Sequence, residues 1–171
     1  MGYQFDRLRI LVVDDNAHMR KLVSTILHAF GISQIIEAES GERAWALLRE
    51  TNPDICVLDW MMDGMSGVDL VRKIRSDPQS PNPLVPVIML TGHTQTAKVQ
   101  EARDAGVNEF IVKPVSVRVM MQRLISVIET PRPFARTKSF FGPDRRRHHD
   151  ADDKFDGPNK RDINPGAKAA G

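Results

Sequence analysis

The feature that most constrains this chain is an alternation in its first 129 residues. Short apolar runs four to six residues long are each followed by a stretch with helical periodicity. Leu8–Val13 is apolar except for Arg9 and ends in Asp14-Asp15, as a strand buried on both faces does. Met19, Leu22, Val23, Ile26, Leu27 and Phe30 then recur at the spacing of one helix face, with Asn16 as N-cap and Gly31 as stop. The pattern repeats. Gln34–Ala38 precedes a helix capped by Ser40 and ended at Asn52-Pro53. Asp54–Leu58, followed by Asp59, precedes a helix begun near Ser66-Gly67. After a proline-rich connection, Val87–Leu90 ends at Thr91 and leads to a polar helix over Gln95–Ala105. Glu109–Val112 ends at Lys113-Pro114 and leads to a helix carrying Val117, Met120, Met121, Leu124, Ile125 and Ile128.

Five such units predict an α/β fold, a flavodoxin-like (βα)5 doubly wound parallel sheet. With strand order 2-1-3-4-5, the ends of strands one, three, four and five are neighbours. Open sheets of this kind place their chemistry beyond the carboxyl ends of the strands. Asp14, Asp15, Asp59, Thr91 and Lys113 all stand there. Each alone has a bland reading: Asp caps helices, Thr packs, and Lys before Pro lies in a turn. Together, three carboxylates repel unless a cation joins them, and hard oxygen donors favour Mg²⁺. A carboxylate can also act as a nucleophile toward phosphorus, with lysine and hydroxyl groups on the phosphoryl oxygens. The cluster therefore suits Mg²⁺-assisted phosphoryl transfer onto a carboxylate. Hydrolases that use a phosphoaspartate place the nucleophile in an Asp-x-Asp run after the first strand, a spacing that Asp14-Asp15-Asn16 lacks.

These motifs, namely Asp14-Asp15, Leu58-Asp59-Trp60, Thr91-Gly92 and Lys113-Pro114, closely resemble those of the receiver domain of bacterial two-component response regulators. The resemblance spans about Arg9 to Thr130 and extends to single-domain, chemotaxis-type regulators. It implies that Asp59 accepts a phosphoryl group from a sensor histidine kinase or a histidine phosphotransfer protein. It implies that Asp15, Asp59 and the backbone carbonyl of Met61 ligate Mg²⁺, with Asp14 acting through a metal-bound water. Lys113 would contact the phosphoryl group. Thr91 and the aromatic Phe110 would form the switch, and helix four, strand five and helix five the face for a downstream protein. The chain would be a phosphoacceptor that assists its own phosphorylation and dephosphorylation rather than an enzyme. It departs from the family pattern at Asp63, where a proline is usual, and Phe110 lacks the hydroxyl of the tyrosine often found there. Met61 and His93 stand at positions that vary in the family.

Composition enters where this pattern stops. The 42 residues from Thr130 hold five Pro, four Gly and only five of Leu, Ile, Val and Phe, so residues 131–171 are expected to be a loose, Pro/Arg-rich tail beside a receiver domain of residues 1–130. The tail has ten Lys/Arg against six Asp, +4; the rest has 14 Lys/Arg against 16 Asp/Glu, −2. The overall basicity thus belongs to the tail and gives no argument for nucleic-acid binding by the folded part. A second reading has the tail, with its interleaved aromatics and Arg145-Arg146-Arg147, binding nucleic acid or docking on a protein. His148-His149 suggests no metal site, because no third ligand stands at a suitable spacing. The single cysteine, Cys56, excludes a disulfide framework and fits the cytoplasm. No apolar run is long enough for membrane insertion.

Overall fold

The computed structural model describes residues 4–92, 96–138 and 140–144. Five strands, β1 (Arg9–Val13), β2 (Gln34–Ala38), β3 (Ile55–Asp59), β4 (Val87–Thr91) and β5 (Glu109–Val112), alternate with helices α1 (Ala17–Ala29), α2 (Gly41–Thr51), α3 (Gly67–Ser76), α4 (Thr96–Ala105) and α5 (Val117–Glu129). The sheet is all parallel, in the expected order β2-β1-β3-β4-β5. Asn16, Ser40, Ser66 and Ser116 each accept a hydrogen bond from the amide three residues on, capping α1, α2, α3 and α5. Residue 95, expected at the start of α4, and His93 lie outside the described residues.

Strand alternation divides the core in two. Leu11, Val13, Cys56, Leu58, Val87 and Met89 face α2, α3 and α4 and pack with Leu48, Val71, Ile74 and Ala102. Ile10, Val12, Val57, Ile88, Leu90 and Ile111 face α1 and α5 and pack with Val23, Leu27, Met120 and Leu124. Cys56 is fully buried, and burial pushes its thiol up to about 12, so it is an inert core residue.

Helical periodicity overstated two faces. Leu22, expected in the core, is 43% exposed, while Ser24 is buried and donates to Glu37 Oε1 on β2 at 2.6 Å. Leu22 lies at the margin of the stripe formed by Val23, Ile26 and Leu27, and the buried side extends instead toward β2. Val117 and Ile128 are likewise exposed at the two ends of α5.

Part of the segment expected to be loose takes up regular structure. Beyond α5, β6 (Phe134–Arg136) and β7 (Phe141–Pro143) form an antiparallel hairpin, and β7 packs against α3 and α4. Composition averaged over 42 residues hid a local concentration, since three of the segment's five large apolar residues fall within 134–141. A lone hairpin is marginal in water; packing against helices supplies what it lacks. Residues 145–171, including the Arg145–Arg147 run and His148-His149, lie outside the described residues.

Leu22→Gln is expected to leave stability within about 0.5 kcal/mol of the parent. Leu27→Ala, in the α1–α5 core, should cost about 2–5 kcal/mol. Urea unfolding of the two variants measures both.

Candidate functional site

The sheet order brings the expected residues together at one edge. Asp14 and Asp15 follow β1, Asp59 ends β3, Thr91 ends β4, and Lys113 follows β5. Lys113 Nζ lies 2.8 Å from Asp59 Oδ1 and 3.9 Å from Asp14 Oδ2. Carboxylate oxygens of Asp14, Asp15 and Asp59 lie within 4.8 Å of one another. Asp14, Asp59 and Thr91 are buried, and Asp15 is exposed. The backbone joins the last two strand ends, because the Lys113 amide donates to the Thr91 carbonyl at 2.8 Å. Phe110, on β5, is half-buried and packs against the α2–α3–α4 core, and its carbonyl accepts from Arg123 Nε at 3.0 Å. The Met61 side chain is 64% exposed, and Asp63 is exposed, as a solvated residue in place of proline would be.

The charges here are unbalanced. Burial raises the Asp14 carboxyl above the ordinary carboxylate range; the Asn16 amide on Oδ1, at 2.9 Å, pulls the other way, and the Asp59 carboxylate raises it further. Asp14 Oδ2 is buried and has no hydrogen-bond partner among the described residues. An orphaned carboxylate oxygen beside two more carboxylates, with one lysine to offset three negative charges, fits a divalent cation. The all-oxygen donor set suits Mg²⁺ rather than a softer metal.

Several positioning residues carry no strong sequence signal. Arg20, on α1, donates to the Asp14 carbonyl at 2.7 Å, and its Nε stands 3.4 Å from Glu37 Oε2. The Glu42 carboxylate accepts from the Met65 amide at 3.2 Å and so ties α2 to the loop after Asp59. Gly67 is required by proximity, for a Cβ there would lie 2.2 Å from the Asp59 carbonyl oxygen. Its amide donates to the Trp60 carbonyl at 3.0 Å, closing the loop over the strand end. A glycine in the first turn of an amphipathic helix was the available hint of close approach.

A family model for the response regulator receiver domain matches residues 10–125. The chain is 41% identical over 125 residues to chemotaxis protein CheY1 of Helicobacter pylori, covering 72% of this chain and 98% of that protein. It is 35% identical over 122 residues to chemotaxis protein CheY of Pseudomonas aeruginosa, covering 71% of this chain and 97% of that protein. Among solved structures, chemotaxis response regulator CheY4 of Vibrio cholerae is similar, with a TM-score of 0.65 at 29% identity over 71% of this chain and 98% of that one.

Because the folded pKa of Asp14 is raised, the stability linked to its protonated form is complete below the unfolded carboxylate pKa and is lost as pH rises through the folded value. Asp14→Asn removes that loss. Its metal-free melting temperature at neutral pH should exceed the parent's by ~2–5 °C, while the increase that Mg²⁺ gives the parent should shrink or vanish. Thermal melts with and without Mg²⁺ test both halves. Gly67→Ala should lower stability by about 2 kcal/mol or more, read by urea unfolding, since the methyl group meets backbone rather than a flexible side chain.

Proposed function

The chain belongs to the response regulator receiver family, the phosphoacceptors of two-component signalling, and from that premise we propose that Asp59 is its accepting carboxylate. The observation that supports this most is the 2.8 Å contact of Lys113 Nζ with Asp59 Oδ1, beside Asp14 and Asp15. In the proposed reaction an Asp59 oxygen attacks the phosphorus of a phosphohistidine on a sensor kinase or phosphotransfer protein. The new O–P bond forms as the N–P bond breaks, and the imidazole leaves with the electron pair. Lys113 then offsets the negative charge gained at the phosphoryl oxygens. Asp15, Asp59 and the Met61 carbonyl would hold Mg²⁺, and Asp14 would act through water on it. When bound, the cation neutralises carboxylate and phosphoryl charge. The chain thereby assists its own phosphorylation, and its later hydrolysis, without being a turnover enzyme.

The readout is a population shift. Thr91 follows the new charge, Phe110 changes its packing, and the face of α4, β5 and α5 presents a different surface to a downstream protein. That face carries a groove of about 130 Å³ lined in part by Val99, Arg103, Phe110 and Arg123. The compartment proposed is the cytoplasm, which the unpaired Cys56 supports. Among the described residues, no helix is long and apolar enough to cross a membrane. Nucleic-acid binding by the tail gains no support: the Phe134 and Phe141 rings lie beneath the Arg75 and Arg136 guanidiniums, at 5.0 and 4.4 Å.

Incubation with acetyl phosphate and Mg²⁺ should add one phosphoryl group to the intact protein by mass. Asp59→Asn and chelation of the metal should each abolish the gain. Labelling of Asp59→Asn at the parental rate would overturn the assignment. Lys113→Ala should slow labelling by about 10²-fold, the usual cost of removing one preorganised charge stabiliser.

A further inference from the structure

The hairpin after α5 packs at the amino end of β5, beside the strand that carries Phe110. Its first anchor is Arg75 of α3. This guanidinium is buried and contacts only neutral oxygens: Gly106 O from Nε at 3.2 Å and Nη2 at 2.9 Å, Pro83 O and Val85 O from Nη1 at 2.7 Å each, and Asn108 Oδ1 from Nη2 at 3.0 Å. The Phe134 ring of β6 covers its outer side. Gly106 ends α4 with φ +107, and buried Gly142 of β7 lies so close that a Cβ on Gly142 would stand 2.8 Å from Gly106 Cα. The hairpin thus packs on the turn that joins α4 to β5.

The second anchor is Arg132, between α5 and β6. Its Nη2 lies 3.6 Å from Glu109 Oε1, at the first residue of β5. Glu109 is buried, accepts from Ser126 Oγ at 2.8 Å, and pairs with Arg123 Nη1 at 3.5 Å. Arg123 in turn donates to the carbonyl of Phe110. A chain of contacts therefore runs from the tail through Glu109 and Arg123 to the backbone carbonyl of Phe110, while Gly142 and Phe134 pack against Gly106 and Arg75.

We propose that the 132–144 segment is a latch thermodynamically linked to the phosphorylation site: its docking and the loading of Asp59 change each other's equilibrium. The inference rests on the reading of Asp59 and Phe110 given above. The physical requirement is a differential contact. A rearrangement of α4 and β5 that displaces Gly106 or Glu109 alters the Gly106–Gly142 approach or the Glu109–Arg132 pair, because the hairpin touches those residues directly. Linkage is reciprocal, so the factor by which loading alters docking equals the factor by which docking alters loading.

The test uses the full chain and beryllofluoride with Mg²⁺, a non-covalent phosphoryl analogue that permits equilibrium measurement. Docking is read by hydrogen exchange at the Thr137 and Asp144 amides, which donate to Phe140 O and Pro133 O at 2.7 Å each. Loading should change their exchange by about fivefold or more, the lower range of measured couplings. Gly142→Val, which blocks the approach to Gly106, should shift half-saturation by a comparable factor in the reciprocal sense. Arg132→Gln should shift it in the same direction; it makes the measurement independently if Gly142→Val does not fold. Equal exchange in loaded and free protein, or half-saturation at the parental value in the folded variants, overturns the latch. Absence of saturable binding by the parent, together with no phosphoryl mass from acetyl phosphate, overturns the reading of Asp59 itself, a separate outcome.

Discussion

The all-parallel sheet is the constraint on which the rest of the molecule depends. Parallel strands need crossover helices, and helices on both faces leave the strands buried on both sides. That burial explains the near-continuous apolar runs and the division of the core by strand parity. It also sends every strand's carboxyl end to one edge. β1, β3, β4 and β5 are consecutive neighbours, so residues as far apart in sequence as Asp14 and Lys113 come within 3.9 Å. The site is a consequence of topology before it is a matter of side-chain chemistry.

At that edge the fold accepts an unfavourable arrangement. Two buried carboxylates and a third nearby cannot be satisfied by one lysine, and Asp14 retains an oxygen with no hydrogen-bond partner among the described residues. Such a cluster is costly in the absence of a cation and is where a receiver exchanges stability for reactivity. The surroundings hold it in place through backbone contacts. Arg20 grips the carbonyl of Asp14, Gly67 permits the close return of α3 onto Asp59, and Glu42 fastens the loop between them. These contacts are made to backbone groups and leave the charge of the carboxylates in place.

The opposite end of the sheet solves a different electrostatic problem. Arg75 is buried without an acidic partner, and desolvation lowers its pKa to about 10. Neutral carbonyls and Asn108 take its donors, and an aromatic ring from the hairpin closes the outer side. Satisfying all of a guanidinium's donors while covering it with a π-face is one way to keep a charge inside. The result ties α3, the proline-rich connection, the α4–β5 turn and the hairpin into one packed unit.

The amino-acid sequence by itself determined the order of the five strands and five helices, the parallel topology and the identity of the strand-end residues. Short apolar runs and the 3.6-residue period, together with caps at Asn16, Ser40 and Ser66, are local signals that need no tertiary information. It did not determine how far each helix face is covered: Leu22 and Val117 match the helical period yet are exposed, because coverage depends on how the helix sits on the sheet. Arg20 and Glu42 were silent for the same reason, since their partners lie elsewhere in the chain or in the backbone. The hairpin at 134–143, within the segment expected to be loose, was missed because composition is an average and packing is local. Phe134 and Gly142 matter only where α3 and α4 present Arg75 and Gly106 to receive them. Local periodicity and end groups are properties of a few consecutive residues and can be read from the chain. Burial, close approach and the pairing of Glu109 with Arg132 are relations between distant segments, and only the tertiary structure decided them.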